Sequence, residues 1–250
     1  MNTDDTAIWE EFNETLANAK ELHFWWRDDD VQASKVGFSL SKLNSNLKYC
    51  SRLEKTLSLL QEYNIPAIYA VIPYNFLNYG KKQIKLLKKY HTFIALHGIM
   101  HKRNAADTAN EFPDTCDNEK ALQIICDYKI QFEKVFGNAL LTSFVPPFNT
   151  INPTLEQMLL ANGFSKVSKL NTPGENKPYH VDIDFMNWEI VKMKSPHDIL
   201  TEIINRINQG QTVIGFNNHH RCINRENRTF FRQLFSTIAQ HNNVNWIMPL

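Results

Sequence analysis

Five short stretches of this chain carry the residue types from which hydrolytic chemistry is built. Asp28-Asp29-Asp30 sets three carboxylates in a row after the aromatic stretch Phe24-Trp25-Trp26. Like charges packed together raise one another's pKa unless a cation compensates, so such a run suits a metal-binding or acid–base site as well as a solvated helix cap built on Asp30 or Ser34. His97 and His101 stand four apart after the apolar run Phe93-Ile94-Ala95-Leu96. On a helical turn that spacing puts both imidazoles on one face, within reach of one ion. Joined by a carboxylate from another strand end, they would form an Asp-His-His set. Such a set favours Zn²⁺ or another divalent transition metal and leaves coordination positions open for water and substrate.

The remaining stretches could supply the rest of an acyl-transfer site. Pro146-Pro147-Phe148-Asn149 follows a predicted strand. Proline fixes its own φ, so the following N–H of Phe148 could be held facing a cavity as an oxyanion donor; a plain strand terminator is the other reading. Asn217-Asn218-His219-His220 ends another predicted strand, and a histidine titrating near neutrality suits proton donation to a leaving amine. Trp188 could form a flat apolar wall for a sugar ring or sit in the core.

These residues need a scaffold that gathers loops. The apolar periodicity predicts helices over 7–20, 47–63, 83–90, 118–136, 152–161, 195–208 and 225–240. Strands are predicted at 22–26, 65–72, 92–96, 141–145, 164–168, 211–216 and 244–248, and 171–180 reads as a loop. The run Ile65–Ile72 is almost continuously apolar, as in a strand covered on both faces. Strand and helix alternate about seven times, which predicts an α/β fold with a parallel sheet, either barrel or doubly wound. In such folds the loops after the strands carry the chemistry, and all five stretches lie there.

In this order the five stretches resemble the polysaccharide deacetylase family, the NodB-homology carbohydrate esterases. Asp28-Asp29 matches the family's paired Asp, His97 and His101 its His-x-x-x-His, and Pro146-Pro147-Phe148 its Arg-Pro-Pro-aromatic stretch. Asp184 with Trp188 loosely matches its fourth motif, and His219 or His220 its last. The resemblance spans about Phe24 to His220. It implies a single distorted (β/α) barrel of about seven strands over residues 1–250. It further implies Asp29, His97 and His101 as metal ligands, Asp28 as general base toward water at the metal, and Phe148 N–H as oxyanion donor. His219 or His220 would be the acid, and Arg27, Trp188 and Asn149 would contact substrate. The sequence departs from the family at Val145 (usually Arg), Asp30 (usually Gly) and Asn187 (an Asp expected). Arg27, next to Asp28, is the candidate to stand in for the missing Arg.

Composition sets the context. The chain has 250 residues, 43% of them hydrophobic, enough for one domain with a sizeable core. A net charge of +1 gives no electrostatic hold on nucleic acid or an anionic membrane. The lysines of Gly80–Tyr90 read as the solvated face of a helix whose inner face is Ile84, Leu86 and Leu87. Cys50, Cys116, Cys126 and Cys222 lack CxxC spacing and read as buried thiols. Met1-Asn2-Thr3-Asp4-Asp5 does not open a signal peptide, and no apolar run reaches membrane-spanning length, so a cytoplasmic protein is expected. The expected substrate is an N-acetylated sugar, nucleotide- or lipid-linked, on the way to a surface polysaccharide such as O-antigen or capsule. The alternatives are a non-catalytic carbohydrate-binding protein and an amidohydrolase acting on a non-sugar C–N bond.

Overall fold

A computed structural model describes residues 3–33, 40–104, 110–172, 174–221, 223–225 and 227–249, so Ser34 and Cys222 lie outside the described residues. In chain order the elements are α1 (Thr3–Asn18), β1 (Leu22–Val31), α2 (Leu40–Glu62), β2 (Ala67–Val71), α3 (Phe76–Tyr79), α4 (Lys81–Lys89), β3 (Phe93–His97) and α5 (Asn118–Phe136). They continue with β4 (Leu140–Val145), α6 (Pro153–Ala161), β5 (Lys166–Val167), β6 (Ile183–Asp184), β7 (Met186–Asn187) and β8 (Lys192–Met193). The last are α7 (Pro196–Asn208), β9 (Val213–Asn218), α8 (Arg228–Ile238) and β10 (Val244–Trp246). The short α3 and the β7–β8 hairpin are not apparent in the periodicity.

The chain forms two compact units. One comprises residues 28–51 and 68–169. Its parallel strands run in the order β2, β3, β4, β5, and the end of β1 joins them where Ile72 N–H donates to Val31 O at 2.9 Å. Every residue of β2 is buried, as a parallel strand under helices on both faces requires. Helices α5 and α6 start where the sequence places caps. Asp117 accepts Lys120 N–H at 3.1 Å, and Asn152 accepts Leu155 N–H at 2.9 Å ahead of Pro153. Each cap satisfies an orphan donor and is worth about 1 kcal/mol. The lysines of α4 are all exposed while Leu86 and Leu87 are buried, the solvated face expected.

The other unit comprises residues 1–27, 52–67 and 170–250. Here the start of β1 pairs in parallel with β10, and β6 pairs in parallel with β9. Its core is aromatic: Trp26 packs against Phe185, Phe231 and Phe235 with centroids 5.3, 5.8 and 5.5 Å away. Gly215 in β9 lies against the Trp25 indole, where any Cβ would collide. Among the described residues no helix is long and apolar enough to cross a membrane. Cys50 is buried, whereas Cys116 and Cys126 are only half-buried, which corrects the reading of them as buried thiols; none of the three is in a disulfide.

Candidate metal centre

The site begins with the end of β1. The sequence reading stops this strand before the aspartates, but it continues to Val31 and carries all three carboxylates within it. Side chains alternate along a strand, so the residue that faces a given site depends on where alternation is broken. It is broken at Asp30, whose φ of 64° lies in the left-handed region. Tyr49 of α2 holds that bend. Its hydroxyl donates to Asp30 O at 2.8 Å and accepts the N–H of Gln32 at 2.8 Å.

This geometry places Asp30, where the sequence pointed to Asp29, beside the two histidines. Asp30 carries a carboxylate that meets both histidines, while Asp29 acts on His97 electrostatically. Asp30 Oδ1 lies 3.0 Å from His101 Nε2 and 3.4 Å from His97 Nε2, and ligand atoms of all three residues fall within 4.8 Å of one another. Donors on a tetrahedral zinc, at bonds of about 2.0–2.1 Å, sit about 3.3 Å apart, so the spacing fits a shared cation. Two imidazoles and a carboxylate are also the donor set a divalent transition metal prefers.

The His-x-x-x-His stretch does not form a helical turn. His97 is the last residue of β3, and the chain then turns through Gly98 (φ 63°) to reach His101 (φ 55°). The backbone of β4 orients the first histidine. Val145 O accepts from His97 Nδ1 at 3.0 Å and from Gly98 N–H at 3.2 Å. A carbonyl can only accept, so Nδ1 carries a proton and Nε2 is the nitrogen that faces Asp30. Burial lowers the His97 pKa, but the hydrogen bond to Asp30, the charges of Asp29 and Asp30 and the Val145 carbonyl outweigh it, and the net shift is upward from 6.5.

Asp28 has no exposed surface, and its charge, after burial itself, holds the Tyr69 phenol well above its ordinary pKa. Asp29 is 3% exposed and acts electrostatically on His97. Pro147 leads into Phe148 and Asn149, both left-handed at φ 58° and 56°. The Asn149 and Thr150 N–H groups donate to Pro146 O and Pro147 O at 3.1 and 3.2 Å, which makes Phe148 N–H the candidate donor to a ligand. The Phe148 ring lies 4.4 Å from that of His101. Four of the non-glycine residues with positive φ (Asp30, His101, Phe148, Asn149) thus belong to this site, where strained backbone tends to concentrate.

The sequence reading missed Glu111. This buried residue accepts the N–H groups of Ile99 at 3.0 Å and Met100 at 2.7 Å. Its only sequence signal is an isolated acid in a loop that opens no helix.

The other expected residues lie in the aromatic unit. Arg27, expected at the substrate, has no exposed surface and is an interior cation of β1. Asp184 gathers a group at the ends of β6 and β9. It accepts Trp188 Nε1–H at 2.9 Å, Asn217 Nδ2–H at 3.1 Å and Met186 N–H at 2.9 Å. Trp188 is 50% exposed, so it is not a core tryptophan, and its ring meets that of His219 edge-on at 4.8 Å and 81°. Asn187, the expected Asp, caps the hairpin turn by accepting Glu189 N–H at 3.0 Å. His219 and His220 are both buried, at 5% and 0% exposure.

Residues 48–167 match the polysaccharide deacetylase family model, a stretch that contains His97, His101 and Pro146-Pro147-Phe148 but not the Asp run or His219-His220. No curated protein matches this sequence. Among solved structures, a polysaccharide deacetylase candidate from Mycobacterium smegmatis aligns at 16% identity and TM-score 0.65 over 92% of this chain and 87% of that one. BA3943, a CE4-family pseudoenzyme of Bacillus anthracis, aligns at 11% identity and TM-score 0.58 over 92% and 64%. The peptidoglycan deacetylase PdaC of Bacillus subtilis aligns at 16% and 0.52 over 92% and 89%. These likenesses show a shared α/β fold, the distorted (β/α) barrel expected from the sequence. The family match thus rests on the central stretch, and the likenesses extend the same fold over 92% of the chain.

Proposed function

We propose that this protein is a metal-dependent hydrolase that removes the N-acetyl group from a sugar, acting as one catalytic domain over residues 1–250. The observation that carries this reading is the convergence of Asp30, His97 and His101 on one point. These three would hold a divalent transition metal, with Zn²⁺ the first choice. Bound there, the cation would supply the positive charge that acidifies water and polarises the amide carbonyl.

The chain's own residues account for the remaining steps. Asp29, whose charge acts on His97, takes the proton of the attacking water; Asp28, the base expected from the sequence, has no exposed surface, and its charge acts on Tyr69. Phe148 N–H donates to the carbonyl oxygen as charge develops on it. His219 or His220 returns a proton to the departing amine, and His219, the more accessible and in contact with Trp188, is favoured. Trp188 offers its exposed face to a sugar ring, with Asn149 as a polar substrate contact. Water and the amide thus become acetate and a free amine.

The proposed substrate is a nucleotide- or lipid-linked precursor of a surface polysaccharide, in the cytoplasm. The likeness to PdaC makes peptidoglycan the substrate to test against it. Acetate release from N-acetylated sugars with and without added Zn²⁺, alongside the metal content of the purified protein, tests the reading. Zinc-stimulated acetate release is expected. A protein that binds no metal and releases no acetate would overturn it in favour of a carbohydrate-binding role, which Val145 in place of the family Arg and the likeness to the BA3943 pseudoenzyme favour as the second reading. Ammonia in place of acetate would mark an amidohydrolase.

A further inference from the structure

Nothing in the turn from His97 to His101 brings its two imidazoles together unaided. It is not helical, so the i,i+4 rule does not operate, and Gly98 and His101 both occupy the left-handed region. What the turn does present is the two consecutive N–H groups of Ile99 and Met100, aimed at one carboxylate. Successive amides in such a turn form an anion-binding concavity. Here the anion belongs to the protein: each oxygen of Glu111 accepts one N–H, at 3.0 and 2.7 Å, and the side chain is buried.

We propose that Glu111 is the positioning residue of the metal loop, its carboxylate clamping the 98–100 backbone so that His97 and His101 both reach Asp30. This rests on the metal reading above and adds a residue to it.

Two further features support the assignment. First, Gly98 and Glu111 are fitted to each other. A Cβ on Gly98 would run into the Glu111 carboxylate and the Pro147 ring, so the carboxylate approaches through the space a side chain would fill. Second, Glu111 is itself anchored. Asn104 Nδ2–H donates to Glu111 O at 2.7 Å, and Asn110 Oδ1 accepts Phe112 N–H at 2.8 Å. Asn152, the cap of α6, donates through Nδ2 to Phe112 O at 3.1 Å and to Pro113 O at 3.2 Å. A chain of hydrogen bonds therefore runs from the start of α6 to the metal loop, with Glu111 as its last link. Groups that orient ligands in this way typically change metal affinity 10–100-fold when replaced, about the size expected here.

The test uses the full chain and its Glu111→Gln and Glu111→Ala variants. Gln keeps the volume but offers one acceptor where the loop needs two, and its amide N–H₂ would face a backbone N–H. Zn²⁺ affinity, measured by competition with a chromophoric chelator, should fall about 10–100-fold in Glu111→Gln. The thermal midpoint of the metal-free protein should fall by no more than about 10 °C in that variant, since one loop N–H is left unpaired. In the metal-free wild type, an NMR cross-peak should connect the His97 and His101 rings, whose centroids lie 4.9 Å apart, and it should vanish in Glu111→Ala. Wild-type zinc affinity in Glu111→Gln, or an affinity loss no larger than the lost folded fraction, would overturn the proposal. If the wild type takes up no zinc, the metal reading fails and the ring cross-peak alone decides: its persistence in Glu111→Ala overturns the clamp, its loss supports it.

Discussion

The Asp30–His97–His101 cluster and the Asp184–Trp188–His219 group are both built at strand ends, yet they use their side chains in opposite ways. In the first, the reactive atoms face one another and hydrogen bonds to or from the backbone fix them: Val145 O holds His97, Glu111 holds the loop, and Tyr49 holds the bend at Asp30. In the second, a single buried carboxylate, Asp184, holds an indole that presents half its surface outward. The first arrangement suits a small ion that demands fixed distances. The second suits a larger ligand met face to face. The difference teaches that the deepest pinning lies where charge must be concentrated, and the exposed apolar surface where shape is read.

The sharpest way to break this comparison is to remove a ligand. Asp30→Ala or His97→Ala should abolish zinc binding and lower acetate release by about 10³-fold or more, several kcal/mol of barrier, whereas Asp184→Ala should leave metal content unchanged. Full metal occupancy in Asp30→Ala, read by elemental analysis, would end the distinction between the two groups. Next in size is the base. Asp29→Asn should cut kcat by about 10²–10⁴-fold with metal retained, and Asp28→Asn by less. The reverse order would restore Asp28 to the role the family motif suggests.

If His97 holds a metal as proposed, protons compete with it, and the sign follows from the raised pKa of His97. In the metal-free protein the protonated imidazole contributes stability that is full below 6.5 and is lost as pH rises through the higher folded value. Zinc needs the neutral ring, so its affinity runs the other way, falling up to about tenfold per pH unit once pH drops below that value. Thermal midpoints measured with and without zinc should therefore diverge as pH rises. Parallel curves would count against His97 as a ligand. The smallest effect is expected at the indole: Trp188→Ala should raise KM about tenfold or less with kcat nearly unchanged, since a stacking face is worth roughly 1 kcal/mol beyond its burial.

Much of this was legible in the sequence where periodicity is long. Helix α5 spans Asn118–Phe136 as read, because its cap, apolar face and closing glycine agree. The two histidines and the Phe148 turn stand where strand-end reasoning puts them. The third member of the cluster was not legible: finding Asp30 beside the histidines requires knowing that β1 runs to Val31 and bends at its penultimate residue, and one residue along a strand reverses the face. Glu111 was invisible for a different reason. Its partners are backbone amides in a distant loop, and backbone amides leave no trace in residue types.

Val145 occupies the place where the family carries an arginine, yet its contribution to His97 comes through its carbonyl. Any amino acid at that position, proline included, brings the same oxygen. The anchor of the first imidazole is therefore written into the path of the main chain, out of reach of point substitution. The side chain at 145 can differ from the family's without removing that oxygen, but it is buried, so Val145→Arg would have to house a guanidinium among packed side chains.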